Sequence, residues 1–159
     1  MKHIHDYEIM APAGSYESLW AAIQGGADSI YFGIEGLNMR AKSSNNFTVD
    51  DLHAIAKICR DNGIKSYLTV NTIIYDRDME LMRKIVDAAR EADLTAIIAA
   101  DVAVLLYARS IGVEVHLSTQ LNITNIESLK FYARYADVVV LAREVDLEQV
   151  AAIYKAIVE

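Results

Sequence analysis

Six short apolar runs, each followed by an amphipathic segment, constrain the fold of this chain more than any other feature. The runs are Glu8–Ala11, Ser29–Gly33, Ser66–Val70, Ala96–Ala100, Val113–Leu117 and Val138–Ala142. Apolar residues often stand at consecutive positions in them. That is how strands buried on both faces read, since a strand with one wet face alternates.

The segments between the runs carry helix punctuation. Ser15 starts a helix that stops at Gly25-Gly26, and Thr48 with Asp51 starts one that ends at Asn62-Gly63. Residues 78–92 form a helix with Met79, Met82, Ile85, Val86 and Ala89 on one side. Asp101 caps a segment that closes at Gly112. Thr124 with Glu127 forms a capping box, and Asp146 with Gln149 resembles one. Side-chain oxygens at these places satisfy the free amides of a helix start, and glycine permits the left-handed turn that ends it.

Six consecutive β-α units follow, which argues for a parallel sheet. No linker, low-complexity stretch or charge block interrupts them, so residues 1–159 read as one domain. Two architectures compete on length. A doubly wound sheet fits 159 residues, whereas a complete (β/α) barrel typically takes ~250.

In either architecture, sites form at the carboxyl ends of the strands. Polar residues collect there: Asn38 and Arg40 after the second run, Asn71 after the third, Asp101 after the fourth. The fifth run carries His116, then Ser118, Gln120 and Asn122, and the sixth leads to Arg143 and Glu144. His116 can serve as base, acid or metal ligand, or as a histidine satisfied inside a barrel. Its strand-like alternation with Ser118 and Gln120 puts the three on one face. Arg143 and Glu144, adjacent on a strand, would point to opposite sides. Arg40 and Arg143 can clamp a carboxylate or phosphate, or stand in structural ion pairs. The candidate catalytic residues are therefore His116, Ser118 and Glu144. The candidate substrate-binding residues are Asn38, Arg40, Asn71, Gln120, Asn122 and Arg143. Asp101 is explained by capping alone, and Cys59 falls on the apolar stripe of Leu52, Ile55 and Ala56.

Several classes are marked down. The single cysteine excludes a disulfide framework or a multi-cysteine metal site within the chain. Fifteen basic against 22 acidic side chains, net −7, do not suggest a polyanion-binding surface. The longest apolar stretch, Ala96 to Ala108, is broken by Asp101 and falls short of the ~20 residues of a membrane span. The amino-terminal MKHIHDYEIM lacks a signal-peptide core, so the expected location is cytoplasmic. No lysine ends a strand, as a Schiff-base enzyme needs, and there is no phosphate-binding glycine loop or nucleophile elbow.

The rim motifs stand in a recognisable order. They are Ala11-Pro12-Ala13-Gly14-Ser15, Gly26-Ala27-Asp28-Ser29-Ile30-Tyr31-Phe32-Gly33, Asn38-Met39-Arg40-Ala41, Asn46-Phe47, Thr69-Val70-Asn71-Thr72, His116 through Asn122, and Leu141-Ala142-Arg143-Glu144. The pattern resembles the N-terminal region of the U-thirty-two (U32) peptidase family, a prokaryotic group that includes collagenase-like proteases. The resemblance implies a TIM-type (β/α) barrel, here incomplete with about six units, and an N-terminal part of a longer protein. It implies a peptidase of undefined catalytic mechanism. As an alternative it implies a component of RNA or quinone hydroxylation that carries an iron–sulfur cluster on four cysteines. That cysteine signature lies downstream of the Leu-Ala-Arg-Glu segment and Cys59 does not match it. No cofactor is expected in this chain, and a metal or cluster would belong to the full-length protein. The expected partners there are peptide or RNA, with no membrane. A third reading is a non-catalytic fragment that self-associates through open strand edges.

Overall fold

A computed structural model describes residues 7–37 and 47–158. Its strands are β1 (Met10–Pro12), β2 (Ser29–Gly33), β3 (Lys65–Val70), β4 (Ala96–Ala99), β5 (Val115–Leu117) and β6 (Val138–Val139). Its helices are α1 (Tyr16–Gln24), α2 (Leu52–Asp61), α3 (Met79–Glu91), α4 (Val102–Ser110), α5 (Ile126–Tyr132) and α6 (Leu147–Val158). All neighbouring strands are parallel, and their order in the sheet is β1-β2-β3-β4-β5-β6. This order decides between the two architectures. A doubly wound sheet begins in its middle and reverses direction, whereas each unit here adds its strand on the same side, as in a barrel. Among the described residues β6 does not pair with β1, so the sheet is a half-barrel with two edges.

The register sorts side chains into two faces. Paired residues of parallel strands point the same way. Leu68, Ile97 and Val115 form one row, and Val70, Ala99 and Leu117 the next. These rows are buried against the apolar stripes of the helices: Leu52, Ile55, Ala56 and Cys59 of α2, Met82, Ile85, Val86 and Ala89 of α3, and Val104, Leu105 and Ala108 of α4. The opposite, inner face carries Tyr31, Tyr67 and Ala96 in one row. Gly33, Thr69, Ile98, His116 and Val138 make the next row towards the carboxyl ends.

Most of the helix punctuation holds. Ser15 caps α1 in a reciprocal box with Ser18, whose Oγ accepts from the Ser15 amide at 2.9 Å. Asp51 reaches back to the Thr48 amide at 2.8 Å. Asp101 caps α4 through the Ala103 amide at 2.8 Å, and its second oxygen accepts from the Ile74 amide at 3.1 Å. One carboxylate thus starts α4 and fixes the loop after β3. Asp146 and Gln149 exchange hydrogen bonds at 3.0 and 2.8 Å.

Several expectations are corrected. The cap of α5 is Asn125, which accepts from the Ser128 amide at 2.9 Å, in place of the Thr124–Glu127 box. Asparagine outranks threonine as a cap, so the helix starts one residue later. The sixth strand shrinks from Val138–Ala142 to Val138–Val139, with one further bridge between Ile123 and Leu141. It has a partner on one side only, and pairing ends early. Arg143 and Glu144 consequently lie in a turn, not on a strand. The first strand likewise begins at Met10 and the fifth at Val115.

Candidate functional site

His116 lies on the inner face of β5 and is 7% exposed. Its Nε2 is 2.8 Å from Oε1 of Glu114, two residues earlier on the same face. Its ring stands 4.8 Å from the Tyr67 ring at 52°. Tyr67 is on β3, two strands away and one row nearer the amino ends: its β4 neighbour in the register is Ala96, and that of His116 is Ile98. The small side chain of Ala96 leaves room beside the Tyr67 ring.

Tyr67 continues the polar contacts towards the amino ends of the strands. Its hydroxyl donates to Oε1 of Glu8 at 2.6 Å, and Lys65 Nζ donates to Oε2 at 2.6 Å. Burial raises the Tyr67 hydroxyl's pKa, and the bond to Glu8 raises it further. Burial also pulls the Glu8 carboxyl upward, but hydrogen bonds from Lys65, Tyr67 and Ser29 outweigh it and hold it at about 2. Because that pKa lies below the ordinary 4.5, Glu8 stabilises the fold above pH 4.5 and loses the contribution as pH falls towards 2. Thermal midpoints measured across that window should fall more steeply for the wild type than for Glu8→Gln. Parallel curves would contradict the assignment.

The remaining candidates collect nearer the rim. Ser118 is buried, and its Oγ accepts from the Gln120 amide at 3.3 Å, starting a short 3-10 turn over Thr119–Leu121. Asn122 closes that turn in the left-handed conformation, at φ 50°. Gln120 and Asn122 are exposed. Asn71 is half-buried just after β3. Arg143 and Glu144 are exposed in the turn after the sixth strand. Asn38 and Arg40 lie outside the described residues. His116 and Ser118 therefore stand on one buried face, whereas Gln120, expected beside them, is carried off it by the 3-10 turn and is exposed. The hydrogen-bond partner of His116 is Glu114, which is not among the residues singled out from the sequence. The alternation that joined His116 to Ser118 extends back to Glu114 and could have found it. Tyr67 needed the register of three strands.

Cys59 is fully buried in α2, and burial pushes its thiol up to about 11, so it is an inert core residue. Among the described residues no group of three or more metal-ligating side chains converges, and no helix is long and apolar enough to cross a membrane.

Residues 14–159 match the sequence profile of peptidase family U32. The chain belongs to that family. A collagenase of Porphyromonas gingivalis is 67% identical over 156 residues, which cover 98% of this chain and 38% of the relative. A tRNA hydroxylation protein of Bacillus subtilis is 33% identical over 140 residues, covering 86% of this chain and 33% of the relative. The chain thus spans 38% of the one relative and 33% of the other. A solved U32 peptidase structure superposes with a TM-score of 0.75 at 16% identity, covering 93% of this chain and 64% of that one. At such identity the likeness bears on the fold alone. It agrees with a U32 barrel of which six strands are present here.

Proposed function

We propose that this U32 chain carries part of the active rim of a peptide-hydrolysing enzyme, with His116 as its proton-transfer group. The observation that carries the reading is the state of that imidazole: nearly sealed from solvent, held at one nitrogen by Glu114, and with no described hydrogen bond to the other. The high identity to a protein named collagenase supports peptide as the substrate class. In this reading His116 takes a proton from the attacking hydroxyl, of water or of Ser118. Amide side chains of Asn71, Gln120 and Asn122 donate to the developing oxyanion. Arg143 and Arg40 bind a substrate carboxylate, and Glu144 is a second acid–base group at the rim. The test is release of new amino termini from denatured collagen by the full-length protein. His116→Asn should lower that rate ~10²–10⁴-fold while the variant stays folded. An unchanged rate would overturn the reading.

A second reading, participation in RNA hydroxylation, is favoured by the relative named for tRNA hydroxylation. The iron–sulfur cluster that the family resemblance attaches to that chemistry does not fit this chain's residues, since the one cysteine is locked in the core. No step is assigned to a cluster here. Full-length protein purified without oxygen discriminates the two readings. A cluster absorption band, with restoration of a missing hydroxyl in a deletion strain, would favour hydroxylation over peptide hydrolysis.

A further inference from the structure

We propose that Glu114 is the positioning carboxylate of His116: it holds the Nε2 proton and leaves Nδ1 as the accepting nitrogen, turned towards Ser118 and the rim. The inference rests on the hydrolase reading for its catalytic consequence, but its geometry stands apart from it. An ionised carboxylate only accepts hydrogen bonds, so at 2.8 Å the imidazole nitrogen facing Glu114 is the donor. The second nitrogen of a neutral imidazole then carries the lone pair.

Direction follows from the strand. Glu114 precedes His116 by two residues and shares its face, so Nε2 points towards the amino end of β5. The two ring nitrogens leave the ring in nearly opposite directions, which turns Nδ1 towards the carboxyl end. The next residue on that face is Ser118, whose amide still bonds to the Ala99 carbonyl at 2.8 Å and so keeps the strand's alternation. Ser118 Oγ accepts from the Gln120 amide, which leaves its own hydroxyl proton to give. Glu114, His116 and Ser118 thus follow one another as acceptor, relay and donor along β5 and the two residues that flank it. Tyr67 holds the ring from the side, at 4.8 Å between centroids. Lys65 donates to Glu8 and acts on Glu114 through its charge.

In peptide hydrolysis Nδ1 accepts the proton of the attacking hydroxyl as the new C–O bond forms. It returns that proton to the amine nitrogen as the C–N bond breaks; attack by water completes hydrolysis in this one round, whereas attack by Ser118 leaves an ester that water cleaves in a second round, Nδ1 taking the water's proton and returning it to Ser118 Oγ as the acid leaves. Glu114 never contacts substrate; it fixes which nitrogen does the work. Its side chain is 47% exposed, so replacing it does not open a core cavity.

The test has two readouts. In full-length protein with 15N-labelled histidines, the signal that disappears in His116→Gln should show a proton on Nε2 that exchanges slowly with water. Glu114→Ala should speed that exchange about tenfold or more, and Glu114→Gln, whose amide oxygen still accepts, should keep it slow. Glu144→Ala should leave it unchanged. On peptide substrate, Glu114→Ala should lower kcat ~10–100-fold, the usual cost of losing a group that orients a ligand or base. KM should stay constant, and Glu114→Gln should recover part of the loss. A proton found on Nδ1, or Glu114→Ala behaving as wild type in exchange or kcat, overturns the proposal. Wild-type protein that shows the protected Nε2 proton but cleaves no peptide overturns the hydrolase reading and leaves the positioning of His116 by Glu114 supported.

Discussion

Leu68→Ala is expected to lower the free energy of unfolding by about 2–5 kcal/mol. Leu68 sits in β3 with no solvent exposure, between Phe32 of β2 and Ile97 of β4 in the register, and under the apolar faces of the helices. Truncation there removes the buried side chain and leaves a void that a sheet with neighbours on both sides cannot collapse. A domain of this size has only ~5–15 kcal/mol to lose, so the variant should approach the edge of folding. Ile73→Ala offers the contrast. Ile73 is 72% exposed in the loop after β3, and its truncation should stay within about 0.5 kcal/mol of wild type. Urea unfolding followed by circular dichroism reads both. Equal losses would mean that the layer between sheet and helices is not where the stability resides.

The second large effect is expected on the inner face. Ala96→Leu should cost about 1–3 kcal/mol by overpacking, and it should also push Tyr67 and His116 apart. Ala96 is fully buried in the row that begins with Tyr31 and Tyr67. A leucine there crowds Tyr67, its neighbour in the register, whose ring stands 4.8 Å from that of His116. The predicted signature is a joint one, lower stability together with faster exchange of the His116 ring proton. Loss of stability with His116 undisturbed would show that the rings do not depend on a small residue at this position.

These two sites show how unevenly the sequence reports on the molecule. The stripe Leu52, Ile55, Ala56 and Cys59 was legible at helical spacing, and all four side chains are buried as that spacing requires. The same holds for Met82, Ile85, Val86 and Ala89 of α3. Its end was harder to read: Asp93, not a glycine, adopts the left-handed conformation there, at φ 60°. Aspartate tolerates that region better than most residues, so it carries a weaker signal than glycine. The sixth strand, Val138–Val139, is shorter than the apolar run from Val138 through Ala142 suggests. An edge strand has one neighbour, and composition does not say how far that neighbour extends.

The candidate site divides along the same line. His116 and Ser118 were placed on one face by alternation within a single strand, and the structure keeps them there. Glu144 was grouped with them by adjacency to the rim. The carboxylate that meets the imidazole is Glu114, the residue just before β5. Tyr67, Glu8 and Lys65 could not be read as a group, since 57 and 59 residues separate Glu8 from its two partners.

The sequence by itself determined the β-α alternation, nearly all the helix caps and the family, because each rests on local spacing or on motifs in order. The tertiary structure alone decided that the sheet advances in one direction, and that Tyr67 of β3 and His116 of β5 bring their rings together. It also decided that His116 is held from its amino side. Those facts depend on register between strands, and register is a property of pairing across the sheet that no single segment carries.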